Sequence, residues 1–322
     1  MLNFEPVKQL LIILNLNLMK KTLLSVLALG MAAGVSAQVV EVASLKEVKT
    51  SSPLAVNLAK VSPDGSYAIV SDVLSTSLYK VDLNNGTTTT VTPNGSALEL
   101  RFSPDSRTVV FKRATTGEHR LRFYSVESVD LATGKENQLA KPARHAANYS
   151  VSPKGNLTIA GESAVARTVR MTAKAADEAP RAVVGINKGH LEVTTADGVT
   201  TFIDPQGRGS YLWPSLSPDG TKIVYYKSGD GCFICDLDGS NAHEIGYVHS
   251  PAWLNDKVII GSQEKDNGLT ITEASIVAAD LAGTIQTLTD SSLLGMAPSA
   301  SADGKTITFG TADGKLYILN LK

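Results

Sequence analysis

The stretch Val61–Val70, VSPDGSYAIV, constrains this chain most, because it recurs. SPDS stands at Ser103–Ser106, SPKG at Ser152–Gly155, SPDG at Ser217–Gly220 and SADG at Ser301–Gly304. A short β-prone run follows each: SYAIVSD, RTVVFKR, NLTIAGE, TKIVYYK, KTITFGT. Successive tetrapeptides lie 41, 49, 65 and 84 residues apart, so the last gap has room for a further unit. A worn copy stands there at Ala252–Ser262, AWLNDKVIIGS. Self-similarity at this period marks a repeat architecture, here of six units.

In an S-P-D-G turn, proline presets φ at the first corner, aspartate accepts from a nearby backbone N–H, and glycine takes the positive φ. Asp64, Asp219 and Asp303 are therefore turn makers rather than catalytic acids. A second landmark recurs at Asp82-Leu83, Asp130-Leu131, Asp236-Leu237 and Asp280-Leu281, with worn copies at Ala196-Asp197 and Asn320-Leu321. Glycine follows closely, as a hairpin turn requires. Each unit thus reads as four strands, the first ending at the tetrapeptide and the third at Asp-Leu.

The first strand of each unit has two faces. The apolar set is Ala59/Val61, Leu100/Phe102, Tyr149/Val151, Pro214/Leu216, Pro251/Trp253 and Pro298/Ala300, which should pack one unit on the next. The alternate positions, Lys60, Arg101, Ser150, Ser215, Ala252 and Ser299, are smaller or polar. The third unit carries about 25 extra residues near Glu162–Gly185, expected to form an extended hairpin or a loop on the scaffold. The sixth unit reaches the C-terminus at Lys322 without a fourth strand, while Val39–Lys49 is a spare strand at the other end. Pairing the two removes an open edge, so Val39–Lys49 is expected to close the ring.

The turn, the strand after it and the D-L-x-x-G hairpin together resemble the WD-like repeat of TolB-type β-propellers, over Gln38–Lys322. The resemblance implies an all-β, six-bladed propeller of four-stranded antiparallel blades. It also implies a noncatalytic protein-binding platform in a bacterial envelope. The alternative is a carbohydrate or small-molecule site at the channel mouth, with lyase or hydrolase chemistry open to it. A peptidase would need G-x-S-x-G at a strand–helix elbow, and a sialidase its S-x-D-x-G-x-x-W boxes; neither pattern occurs.

Composition narrows partners and compartment. Among 322 residues the formal net charge is −1, without the basic run that phosphate contacts require, so no nucleic acid is expected. Met19–Ala37, MKKTLLSVLALGMAAGVSA, has the charged, apolar and small-residue regions of a secretory signal cleaved before Gln38. Residues 1–18 read as an upstream extension, and 38–322 as a single exported domain, monomeric and without a membrane span. Cys232 and Cys235 in GCFICD are expected to be buried thiols on opposite faces of one strand rather than a disulfide or metal pair.

Candidate contact residues come from the loops leading into the third to fifth units: Arg144, His145 and Asn148, then Arg208, Tyr211 and Trp213, then His249. Tyr, Trp and Arg are the usual interface anchors. Trp213 beside Pro214 equally serves as a cap on the core, and isolated histidines are ordinarily structural. Glu99, Asp204 and His249 are the scattered groups from which an enzymatic site would have to be built. No catalytic, metal-binding or cofactor-binding residues are assigned, and the expected partner is an envelope protein.

Overall fold

The computed structural model describes residues 38–322 apart from 53, 73–76, 94, 96–98, 162 and 163. The expected signal segment and the extension before it lie outside the described residues.

The described chain is a succession of antiparallel sheets. β1 (Val42–Val48) is first in sequence but belongs to the last sheet. β2 (Val56–Val61), β3 (Tyr67–Asp72), β4 (Ser77–Asp82) and β5 (Thr88–Pro93) form the first sheet. The second holds β6 (Arg101–Phe102), β7 (Thr108–Thr116), β8 (Arg122–Asp130) and β9 (Glu136–Ala143). Two three-stranded sheets follow: β10 (Asn148–Val151), β11 (Asn156–Gly161) and β12 (Ala164–Arg170), then β13 (Val183–Asn187), β14 (His190–Thr194) and β15 (Thr200–Ile203). β16 (Tyr211–Leu216), β17 (Lys222–Lys227), β18 (Gly231–Asp236) and β19 (His243–Gly246) make the fifth. The sixth is β20 (His249–Asn255), β21 (Val258–Asp266), β22 (Ile271–Asp280) and β23 (Ile285–Thr287). β24 (Gly295–Ala300), β25 (Thr306–Thr311) and β26 (Leu316–Leu321) then join β1.

Among the described residues the sheets number seven, not six. The third sequence unit is two sheets, each without a fourth strand among the described residues. The supposed insertion holds β12, a 3₁₀ segment (Ala173–Asp177) and the start of β13. Its hairpin landmark, Ala196-Asp197, lies between β14 and β15 and so belongs to the additional sheet. The first turn of that sheet carries no S-P-D-G. Lys188 (φ +50°) and Gly189 (φ +84°) instead form a two-residue turn between the paired Asn187 and His190, as a tight hairpin demands.

The N-terminal strand pairs within the last sheet. β1 runs antiparallel to β26, with Leu45 opposite Leu319 and Val48 opposite Leu316. Apolar clusters join most neighbouring sheets. Ile69 and Leu78 meet Val109 and Phe111, Val110 and Val126 meet Leu157 and Ile159, and Leu191 and Val193 meet Ile223 and Tyr225. Farther on, Val224 and Ile234 meet Ile259 and Val277, and Ile260 and Ile276 meet Ile307 and Phe309. Val48 and Leu316 of the last sheet finally pack with Val56, Ala59 and Val61 of the first.

The repeated turn is held by one small network. Ser62 Oγ donates to Asp64 Oδ1 at 2.6 Å and accepts from Tyr67 N at 3.2 Å, while Gly65 (φ +71°) donates to Ser62 O at 2.9 Å. Ser217 and Asp219 repeat the first contact at 2.5 Å, and Ser301 and Asp303 at 2.6 Å. In SPKG, where Lys154 replaces aspartate, Glu178 from the segment after β12 takes over. It accepts from Ser152 Oγ and from Lys154 N, the latter at 2.9 Å. Cys232 and Cys235 are buried free thiols on β18. Cys232 faces the sixth sheet and Cys235 the fourth, as a three-residue step along a strand dictates.

Candidate functional site

The innermost strands of all seven sheets enclose one cavity of about 640 Å³. Leu58 and Lys60 come from β2, Arg101 from β6, Asn148 from β10, Val184 and Ile186 from β13, and Trp213 and Pro214 from β16. Ser250 and Pro251 come from β20, and Ala297 and Pro298 from β24. Lys112, Tyr124, Glu99, Arg144 and His145 complete the wall around the second and third sheets.

Local backbone explains the pairs with proline. Trp213 (φ +49°), Ser250 (φ +49°) and Ala297 (φ +48°) each precede a proline, and each lies where the register to the next strand breaks. A left-handed non-glycine residue costs on the order of 1 kcal/mol, and bulges of this kind re-aim side chains near binding sites. Three such breaks at matching positions put three inner strands out of pleat at the cavity wall.

The electrostatics of the wall are uneven. Glu99 is ion-paired with Lys112 Nζ, which also donates to Asn148 Oδ1 at 3.3 Å. Asn148 can lie against β13 because residue 185 is glycine: a Cβ there would fall 1.9 Å from Asn148 Nδ2. Two residues before their turn serines stand Lys60 and Arg101, where the third, fifth and seventh sheets carry Ser150, Ser215 and Ser299. Burial, and secondarily the Arg101 guanidinium, lowers the Lys60 pKa to about 8. A smaller cavity of about 60 Å³ continues from the first, bounded by Arg101, Ser150, Arg181 and Ser215 among others.

The candidate residues divide. Arg144, His145, Asn148 and Trp213 are brought together on the cavity wall. The Arg144 guanidinium sits 6.0 Å over the Phe123 ring and donates to Arg122 O at 3.1 Å. His249 backs Trp213, their rings 4.4 Å apart, and its Nδ1 is 3.1 Å from Glu264 Oε1. Burial opposes ionisation of Glu264, yet hydrogen bonds from His249 and Ser262 outweigh it and hold its pKa below the usual value. Arg208 is exposed in a loop outside the cavity.

Tyr211 is 1% exposed and belongs to the core between the fourth and fifth sheets, its hydroxyl donating to Gly207 O at 2.8 Å. That bond ties its hydroxyl to the loop carrying Arg208. Glu99 alone of the three enzymatic candidates lines the cavity, and Asp204 pairs with His190 at 2.8 Å elsewhere. Lys60, Arg101 and Lys112 were not among the sequence candidates. The available signal was charge at two matching positions of neighbouring inner strands.

No protein-family model matches the chain, and no curated protein matches it in sequence. Solved structures do. The β-propeller domain of Cps50 (Swd1) from Myceliophteria thermophila is similar at 14% identity and a TM-score of 0.57, over 87% of this chain and 100% of that one. The tricorn protease is similar at 17% identity and a TM-score of 0.52, over 84% of this chain and 25% of that one. TolB from Acinetobacter baumannii aligns at 15% identity and a TM-score of 0.49, over 73% of this chain, which spans 55% of that protein's length. Identities this low speak to architecture alone. With blade-like sheets packed in succession around a common cavity, the chain is a β-propeller.

Proposed function

We propose that this is an exported, noncatalytic propeller that binds an envelope protein at the cavity mouth. The observation carrying this reading is the cavity itself: all seven sheets contribute to it, and Arg144, His145 and Trp213 stand on its wall. These are side chains of the kind that anchor interfaces. The only carboxylate on the described wall is Glu99, already paired with Lys112. Glycoside hydrolysis in its usual form needs two carboxylates flanking one bond, which favours binding over that chemistry. Export rests on the signal-like segment at 19–37. Among the described residues no helix is long and apolar enough to cross a membrane.

Site-specific photocrosslinking tests the reading. A crosslinker at position 145, in the native envelope, should capture one discrete protein, and Trp213→Ala should abolish it. The same crosslinker at Leu269, 92% exposed on the hairpin after β21, should not capture it. Equal capture at both positions, or none at 145, overturns the proposal. A second reading, a small-molecule site, is favoured by the cavity volume, which falls in the roughly 300–1,000 Å³ range of such pockets.

A further inference from the structure

Among the described residues, the two cations Lys60 and Arg101 have no ion-pair partner. Both line the cavity, and both are half-buried. Among the described residues the Lys60 amine makes no hydrogen bond or ion pair. The Arg101 guanidinium makes one hydrogen bond among the described residues, Nη1 to Leu100 O at 3.1 Å, although it carries five donors. The nearest carboxylate on the wall, Glu99, is engaged by Lys112. Arg181 faces the smaller cavity beside Arg101. It donates to Ser217 O and to Pro218 O, and its buried Nε has no hydrogen-bond partner among the described residues.

Like charges gathered on one half-buried wall repel and lose part of their hydration. A chain gains nothing from such an arrangement unless an anion offsets it. The rest of the wall states what else the anion carries: Leu58 lies two residues along β2 from Lys60, and Leu212, Trp213, Pro214 and Pro251 line the same cavity. We infer that Lys60 and Arg101 form a receptor for a carboxylate attached to an apolar body, with Trp213 and its neighbours receiving that body. The carboxylate belongs either to a free organic acid or to an acidic side chain inserted by a bound protein. In the second case the inference rests on the proposed function. The planar fork of Arg101 suits both carboxylate oxygens, and Lys60 adds a point charge beside it.

Calorimetric titration of the purified protein tests this without any partner. The probes are phenylacetate, its neutral counterpart phenylacetamide, and blocked Leu-Glu-Pro and Leu-Gln-Pro peptides. The charged member of at least one pair should bind at least tenfold more tightly than the neutral member. Arg101→Met and Lys60→Met should each remove that preference, while Lys265→Met, on the distant hairpin, should retain it. Preference within the phenylacetate pair indicates a free acid, and preference confined to the peptide pair indicates an inserted side chain. No preference in either pair, or a preference surviving both substitutions, overturns the inference. Should Arg101→Met fail to fold, Lys60→Met and Arg101→Lys give the same decision. Carboxylate binding without capture at position 145 would leave this site standing and remove the protein-partner reading.

Discussion

Replacing Lys60 with methionine should make the protein more stable at neutral pH. The Lys60 pKa lies at about 8 against an ordinary 10.5. At about 1.4 kcal/mol per unit the full difference is roughly 3 kcal/mol. Lys60 borders a cavity that admits water, and screening reduces the figure to about 1–2 kcal/mol. Methionine keeps the length of the apolar stem and removes the charge, so most of that energy should return as stability. For a domain of this size that is about 2–3 °C in melting temperature. The sign with pH follows from linkage. Below about pH 8 the amine is protonated in both states and the destabilisation is complete. Between there and the unfolded value only the folded state has lost its proton, so the penalty fades. Above the unfolded value neither state is charged. The advantage of Lys60→Met should thus be full at pH 7 and nearly gone by about pH 10.5. Arg101 from β6 is the charged neighbour acting on Lys60, so Arg101→Met should recover part of the same gain. Thermal melts of both variants at the two pH values provide the measurement. A Lys60→Met melting temperature no higher than wild type at pH 7, or an advantage unchanged at high pH, would refute the reasoning.

Deleting residues 39–49 removes β1 and exposes the edge of β26, so the whole domain should lose cooperative unfolding; an unchanged calorimetric melt would contradict closure by that strand. Burial raises the Cys235 thiol to about 12 and the Cys232 thiol higher still. Native protein at pH 8 should therefore leave a thiol-disulfide dye unreacted, with both cysteines reporting once guanidinium unfolds the chain. The Asp303 carboxyl is held below its usual pKa by the Ser301 hydroxyl and then the Lys305 N–H. Its contribution is present above about pH 4 and lost as pH falls further. Asp303→Asn should cost about 1 kcal/mol at pH 7 and flatten the acid limb of stability against pH, both read from urea midpoints.

Much of the fold was legible because its determinants are local. Ser62, Asp64 and Gly65 make their turn from contacts within a few residues, so the same letters signal the same turn wherever they recur. The spare strand at the N-terminus was also visible, since every strand edge needs a partner. The seventh sheet was hidden because two adjacent units had each lost a different landmark. One kept S-P-K-G, with its missing aspartate replaced by Glu178, while the other kept a hairpin glycine and turned through Lys188-Gly189. Glu178 lies 24 residues from Lys154, a distance over which sequence patterns say nothing of contact.

The candidate site divides in the same way. Arg144, His145, Asn148 and Trp213 were legible as loop and strand-end residues of the types that make contacts. The burial of Tyr211 was not legible because exposure of an aromatic depends on the sheet packed against it. Lys60 and Arg101 could be aligned by their distance from the turn, yet nothing local says that inner strands converge. The sequence alone determined the turns, the strand periodicity and the repeat, all products of short-range sterics and hydrogen bonding. Only the tertiary structure decided how many sheets surround the cavity and which side chains meet there. Those outcomes depend on packing between segments distant in the chain, and the uncompensated charge of Lys60 and Arg101 exists only once that packing has brought them together.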